Sequence, residues 1–187
     1  MPVPPPPNAK RVFKGEIMDF WQWEQPIYDG TVNTYECVTR PDTCAVIPFL
    51  DEKTVLLTRQ EQPSKPEPFL DFPGGRVDPD EVIEEAVRRE MAEETSRTAD
   101  RWMEWHHFKN VGMYRFEEGL YIATGLHETS AHLTEPDEKI ELLPTPWDDV
   151  VKLCLQRKLR QPNIMLAVLQ MEFDPASKKR LQDWLRG

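Results

Sequence analysis

Residues 75–97 read GRVDPDEVIEEAVRREMAEETSR, an acidic segment that directly follows a Pro-Gly pair. Asp78 is a favourable N-cap residue, Pro79 suits the first helical position, and Glu81 completes a capping box three residues after the cap. From Glu81 to Thr95 the sequence contains no residue that breaks a helix. The pattern therefore predicts a helix that begins at Pro79.

The acidic residues of this helix are spaced to share one face. Positions three and four apart lie side by side on a helix, so Glu90, Glu93 and Glu94 project together. Carboxylates that converge in this way repel one another unless a cation is present, and hard oxygen ligands suit Mg²⁺. Arg89 can pair with Glu81 or Glu85 and hold an acid in place. The spacing predicts a helix that binds metal.

The glycine pair ahead of the helix points to close contact with a ligand. Pro73-Gly74-Gly75 predicts a tight turn whose bare backbone can approach a bound molecule. The simpler interpretation is a solvated acidic helix face, stabilised by pairs such as Glu85 with Arg89. That interpretation does not account for the turn, the cap and the acid spacing together.

The spacing resembles the Nudix box, whose pattern is Gly, five residues, Glu, seven residues, Arg-Glu, an apolar residue, any residue, Glu-Glu, any residue, Gly and an apolar residue. The matching residues are Gly75, Glu81, Arg89, Glu90, Met91, Glu93 and Glu94. Ser96 and Arg97 depart from the pattern at its last two positions. The resemblance implies an α/β fold, a Nudix-type α/β/α sandwich with a mixed sheet.

Nudix hydrolases cleave a pyrophosphate bond, so the resemblance also implies roles for individual residues. It implies Mg²⁺, with Mn²⁺ as the alternative, held by Glu90, Glu93, Glu94 and the carbonyl of Gly74. Arg89, Glu93 and Glu94 are then catalytic residues. Such a site neutralises phosphate charge and lowers the pKa of a bound water.

A further acid is expected on a loop after the box, where it would activate or orient water. The segment 134–138 occupies that place, and Glu138 is the candidate, with Glu135 as the alternative. An ordinary solvated acidic loop remains open as the other interpretation of this segment.

The overall composition restricts the class of protein. A chain of 187 residues is long enough for one substantial domain, and its net charge of −10 disfavours binding to nucleic acid polymers. Three widely spaced cysteines do not form a disulfide framework, and no apolar run reaches membrane-spanning length. These features predict a cytoplasmic protein with no membrane partner, and they are compatible with the small-molecule nucleotide substrate that the resemblance implies.

Three regions follow one another along the chain. Residues 1–11 read as a disordered proline-rich tail, residues 12–40 as an N-terminal β extension with a hairpin turn at Asp29-Gly30, and residues 41–187 as the Nudix domain. Strands on both sides of the acidic helix and helices at the end favour a mixed sheet covered on both faces.

The regions around the box resemble the ADP-ribose and nucleotide-sugar pyrophosphatase branch of the family. In that branch the N-terminal strands build a homodimer and help to enclose the base. Trp21, Trp23 and Tyr35 are therefore candidates to stack on adenine, and Arg59 and Arg76 are candidates for phosphate or ribose contacts. Each of these side chains also fits an ordinary structural role on a hairpin or a strand end.

Two departures from the branch bear on the substrate. Glu61-Gln62 stands where the branch carries a second basic residue, and the loop after the next strand differs, with Arg115 as a substitute contact. The expected reaction is hydrolysis of ADP-ribose to AMP and ribose 5-phosphate. Another nucleotide-sugar, an oxidised nucleoside triphosphate, and a nucleotide sensor without turnover remain the alternatives. The complete set of box acids favours an enzyme.

Overall fold

A computed structural model describes residues 3–129 and 139–187 of the chain. Its elements are β1 (Lys10–Lys14), β2 (Asp19–Pro26), β3 (Val32–Thr39), β4 (Thr43–Asp51), β5 (Thr54–Glu61), β6 (Phe69–Asp71), α1 (Ile83–Thr95), β7 (Arg97–Val111), β8 (Tyr114–Glu128), β9 (Lys139–Pro146), α2 (Trp147–Leu155), α3 (Pro162–Phe173) and α4 (Pro175–Arg186).

The strands form one mixed sheet in the order β1-β2-β3-β8-β4-β5-β6, with β7 paired to β8 and β9 paired to β5. Strand β8 runs parallel to β3 and β4, whereas the other pairs are antiparallel. Strands β2 and β3 form the predicted hairpin, and their turn contains Gly30 at φ 84°. The predicted mixed sheet and N-terminal hairpin are therefore both confirmed.

Helices cover both faces of the sheet. Successive residues of a strand point to opposite faces, and β4 shows this with Val46 and Ile47. Val46 packs with Val87 and Met91 of α1, and Ile47 packs in a second cluster with Met171 of α3. All five side chains are fully buried. The α/β/α sandwich is confirmed.

Helix α1 begins at Ile83, so the predicted start at Pro79 was wrong. Asp80 adopts φ 68°, a left-handed conformation that a right-handed helix cannot include. The Glu81 carboxylate accepts the backbone N–H of Asp78 at 3.0 Å, as in a capping box, but it closes a turn ahead of the helix. The predicted residues thus make the expected contact outside the helix.

Ser96 ends α1 in the left-handed conformation, at φ 54°, and donates its N–H to the carbonyl of Ala92 at 2.9 Å. This is the position where the box pattern has glycine, which adopts this conformation without strain. A serine here costs about 1 kcal/mol and leaves the acidic face of the helix unchanged.

The first strand begins at Lys10, inside the segment predicted as a disordered tail. Val3 is buried, and the carbonyl of Pro4 accepts a hydrogen bond from Arg115 at 2.9 Å. Residues 3–9 thus contact the domain, while the domain boundaries remain a prediction. In the two stretches that the structure describes, no helix is long and apolar enough to cross a bilayer.

Candidate active site

The glycine turn lies directly against β4. The N–H of Cys44 donates to the carbonyl of Gly75 at 3.0 Å, which fixes the turn along the strand. Gly74 has φ 154°, and a Cβ added there would collide with the carbonyl of Cys44 and lie 2.7 Å from the Cα of Ala45. Only glycine fits this position, because the backbone of β4 occupies the space that a Cβ would need. The predicted close approach of this turn to a ligand stays a prediction.

Glu94 connects α1 to this turn. Its Oε2 accepts the N–H of Gly74 at 3.0 Å, and its Oε1 accepts a hydrogen bond from Nε2 of Gln60 at 2.9 Å. Gln60 lies on β5 and is 2% exposed. Three separate elements therefore meet at the Glu94 carboxylate.

Arg89 gathers the other acids of the helix. Its Nε and Nη2 donate to the two carboxylate oxygens of Glu81, both at 3.0 Å, which confirms the predicted pair. Its Nη1 donates to Glu90 at 3.0 Å and to Glu93 at 3.1 Å, and Nη2 also donates to the carbonyl of Arg76. These hydrogen bonds lower the pKa of Glu81, and they raise the pKa of Arg89 above its ordinary value. Glu81 and Arg89 are therefore held in their charged forms.

Glu90 fills the space that the missing Cβ of Gly75 leaves open. A Cβ added at Gly75 would collide with the Glu90 carboxylate. The second glycine of the turn therefore gives an acid of the helix room beside the backbone. Glycine serves a different purpose here than at Gly74, where the neighbouring backbone leaves no space.

The donor set fits a divalent cation in its chemistry. Glu90 and Glu94 offer carboxylate oxygens close to the backbone of the turn, and Glu93 contacts Arg89. Oxygen ligands of this type suit Mg²⁺ or Mn²⁺. Within residues 3–129 and 139–187, no three acidic, histidine or cysteine side chains stand close enough to hold a metal as they are placed. The Arg89 guanidinium takes up carboxylate oxygens of Glu90 and Glu93. Metal binding requires these two carboxylates to shift from the positions that they occupy here.

The two predicted arginines differ in their positions. Arg76 is exposed next to the turn, and its backbone pairs with that of Thr43. Arg59 points away from Gln60 because neighbouring residues of β5 face opposite sides of the sheet. It pairs with Glu61 at 3.6 Å and with Glu141 at 3.5 Å. The backbone of Arg76 thus lies beside the turn and Arg89, whereas the Arg59 side chain lies on the face of β5 opposite Gln60.

The predicted stacking residues lie together on the N-terminal hairpin. Trp23 and Tyr35 face each other across β2 and β3, with ring centroids 5.9 Å apart and planes tilted by 48°. Trp21 lies on the same face and donates Nε1–H to the hydroxyl of Thr39 at 3.0 Å. Both Glu138 and Glu135, the candidate loop acids, lie outside the described residues.

A network of buried polar residues near the turn was not found from the sequence. Asp71, at the end of β6, is completely buried and accepts a hydrogen bond from Arg160 at 2.7 Å. Glu118 is 4% exposed and accepts from Asn163 at 2.8 Å. Burial raises the pKa of both carboxyl groups. Gln60 could have been found from the alternation of β5, which places it on the buried side with Thr58.

Comparisons with known proteins identify the family of this chain. The NUDIX domain family matches residues 39–166. The chain is 23% identical over 170 residues to the ADP-ribose pyrophosphatase of Bacillus subtilis (strain 168), covering 89% of this chain and 91% of that protein. Its fold is similar to a solved ADP compounds hydrolase, with a TM-score of 0.73 and 18% identity over 97% of this chain and 93% of the other. The family match spans most of the sequence and includes the glycine turn and α1. The chain therefore belongs to the Nudix family and is a Nudix hydrolase.

Proposed function

We propose that the protein hydrolyses the pyrophosphate bond of ADP-ribose in a reaction that depends on Mg²⁺, with Mn²⁺ as a possible substitute. Water is added across the bond, and the products are AMP and ribose 5-phosphate. The arrangement of Glu90 and Glu94 against the Gly74-Gly75 turn, with Glu93 held by Arg89, carries this proposal. The similarity to the Bacillus subtilis ADP-ribose pyrophosphatase supports the choice of substrate.

Glu90, Glu93, Glu94 and the carbonyl of Gly74 would hold the metal. When bound, the metal neutralises charge on the phosphates and lowers the pKa of a bound water. Arg89 orders Glu90 and Glu93 before the metal enters, because its guanidinium contacts both carboxylates. Glu93 and Glu94 are the proposed catalytic residues on the helix.

An acid of the segment 134–138 would orient or deprotonate the attacking water. Glu138 is the proposed residue, and Glu135 is the alternative. Both follow β8 and precede β9, which starts at Lys139 and pairs along β5 beside Gln60. The pairing sets Ile140 opposite Gln60, so β9 begins beside the residue whose buried amide contacts Glu94.

The nucleotide would be held by residues outside the box. Trp21, Trp23 and Tyr35 provide aromatic faces for adenine. Arg76 adjoins the turn and is the proposed phosphate contact, while Arg59 would first have to leave Glu61 and Glu141. We also propose a cytoplasmic homodimer, in which the N-terminal strands enclose the base.

A second nucleotide-sugar, an oxidised nucleoside triphosphate, and a sensor role are the competing functions. A sensor does not need a full set of box acids, whereas this chain keeps every one of them in contact with the turn or with Arg89. This observation favours turnover over simple binding.

Product analysis over a panel of substrates tests the proposal. ADP-ribose, other nucleotide-sugars, dinucleoside polyphosphates and nucleoside triphosphates are incubated with Mg²⁺ or with EDTA. We expect AMP and ribose 5-phosphate from ADP-ribose with Mg²⁺, and no products with EDTA. Faster turnover of another compound would replace the proposed substrate, and tight binding without turnover would favour the sensor.

A further inference from the structure

We propose that Gln60 is a positioning residue that holds the Glu94 carboxylate in place for metal binding. This inference rests on the metal-binding role of Glu94 in the proposed function. Gln60 follows directly after Arg59, the residue that the sequence predicted as a phosphate or ribose contact. The glutamine contacts the acidic cluster, while the role of Arg59 stays a prediction.

The side-chain amide of Gln60 is fixed by two hydrogen bonds. Its Nε2 donates to Oε1 of Glu94 at 2.9 Å and to Oγ1 of Thr58 at 3.2 Å. The Thr58 hydroxyl in turn donates to the backbone carbonyl of Asp71 at 3.1 Å, so its oxygen is available to accept from Gln60. The opposite orientation of the amide would bring its oxygen towards the carboxylate oxygen of Glu94, which is repulsive. The two acceptors around Gln60 thus select one orientation of its amide.

Glu94 is consequently oriented from two sides. Gln60 holds Oε1, and the N–H of Gly74 holds Oε2 at 3.0 Å. Each carboxylate oxygen has two lone-pair directions, so an N–H bond on each oxygen is compatible with a cation on the same group. The Gln60 contact therefore fixes the rotation of the carboxylate without preventing metal binding.

Burial restricts Gln60 to positioning Glu94 and keeps it away from the substrate. Gln60 is 2% exposed, and Thr58 is completely buried, so neither side chain reaches solvent or a substrate. A buried amide that loses its acceptor pays a desolvation penalty, which favours the bound arrangement of Gln60 and Glu94. Residues that orient metal ligands in this way typically change metal affinity or activity by about 10–100-fold when they are mutated.

The test compares two variants that weaken the contact between Gln60 and Glu94 with one control variant elsewhere in the core. Gln60→Met keeps the approximate size of the side chain and removes both donors. Thr58→Val keeps the shape and removes only the hydroxyl that orients Gln60. Val168→Ala, in the buried part of α3, is the control for lost stability. Mn²⁺ binding is measured by electron paramagnetic resonance of the free ion without substrate, alongside thermal unfolding and ADP-ribose kinetics.

We expect Gln60→Met to weaken Mn²⁺ binding by about 10–100-fold and Thr58→Val by a smaller factor. Val168→Ala should lower the Tm by a few degrees and leave the Mn²⁺ affinity unchanged. Mn²⁺ affinity of Gln60→Met within twofold of the wild type would overturn the inference. A loss of affinity that simply follows Tm across all three variants would overturn it as well. If Gln60→Met fails to fold, the comparison of Thr58→Val with Val168→Ala decides.

The outcome separates this inference from the proposed substrate. Wild-type protein that binds Mn²⁺ but leaves ADP-ribose intact disproves the substrate, while the Mn²⁺ affinities of the variants still test Gln60. Wild-type protein that binds no Mn²⁺ overturns the inference together with the proposed metal role.

Discussion

Two regions of the molecule differ in the burial and hydrogen bonding of their side chains. One is the glycine turn with α1, and the other is the N-terminal hairpin. In the first region, Glu81 and Glu90 are each 15% exposed, and hydrogen bonds from Arg89 hold both. In the hairpin, Tyr35 is 46% exposed and Tyr28 projects fully into solvent. The region proposed for chemistry is organised by contacts within one chain. The region proposed for base binding presents open aromatic surface that a ligand or a second subunit can cover.

The largest expected effect lies in the organised region. Glu94→Gln should lower kcat/KM for ADP-ribose by at least about a hundredfold, because it removes a charged ligand and one of the two oxygens that accept from Gly74 and Gln60. Glu85→Gln, on the exposed side of the same helix, is the matched control and should retain activity. Steady-state kinetics and thermal unfolding of both variants provide the measurement. Equal activity in the two variants would show that Glu94 is not a catalytic residue.

Two glycines with positive φ allow a direct comparison of stability between the regions. Gly74→Ala should reduce the free energy of unfolding by about 2–4 kcal/mol, because backbone strain adds to a collision with β4. Gly30→Ala, in the hairpin turn at φ 84°, meets no atom within 4 Å and should cost only about 1 kcal/mol. Denaturant unfolding measures both. Similar losses would show that the turn is not packed as described.

The base-binding role of the hairpin is tested by its aromatic residues. Trp23→Ala should raise the KM for ADP-ribose by roughly 10–100-fold and change kcat little, because base stacking contributes about 1–3 kcal/mol. Tyr28→Ala removes a fully exposed ring from the same hairpin and should leave KM unchanged. Steady-state kinetics at saturating Mg²⁺ distinguishes the two. An unchanged KM in Trp23→Ala would restrict this ring to its packing against Tyr35.

The smallest effect is expected for Arg59, which belongs neither to the glycine turn with α1 nor to the N-terminal hairpin. Arg59→Gln should raise KM by roughly three- to tenfold, because the side chain must first give up weak exposed ion pairs. Arg88→Gln removes a similar exposed pair with Glu84 on α1 and serves as the control. A KM increase in Arg59→Gln above that of Trp23→Ala would make this arginine a principal substrate contact.

The sequence predicted the acidic face because its residues are close neighbours along one helix. The three- and four-residue periodicity brings Glu90, Glu93 and Glu94 together before any tertiary contact forms. The start of the helix was wrong because Asp80 adopts a left-handed conformation that helix propensity does not reveal. The contact between Asp78 and Glu81 formed as expected, but in a turn rather than in the first helical turn.

Contacts between distant parts of the chain could not be predicted in the same way. Gln60 and Glu94 are 34 positions apart, and Asp71 and Arg160 are 89 apart. The guanidinium of Arg59 made it the predicted phosphate or ribose contact, whereas the pleat of β5 turned the neighbouring Gln60 towards the acids. The direction of one residue depends on the strand register, which pairing with β6 and β9 fixes.

The sequence by itself determined the turn, the acidic helix and the mixed α/β architecture, because backbone preferences and short-range periodicity encode them. Only the tertiary structure decided that Gly74 and Gln60 share the Glu94 carboxylate. Such contacts depend on which faces of separate elements meet in the core. Packing of α1 against β4 settles that choice, because it buries Val87 and Met91 and leaves the acids beside the turn.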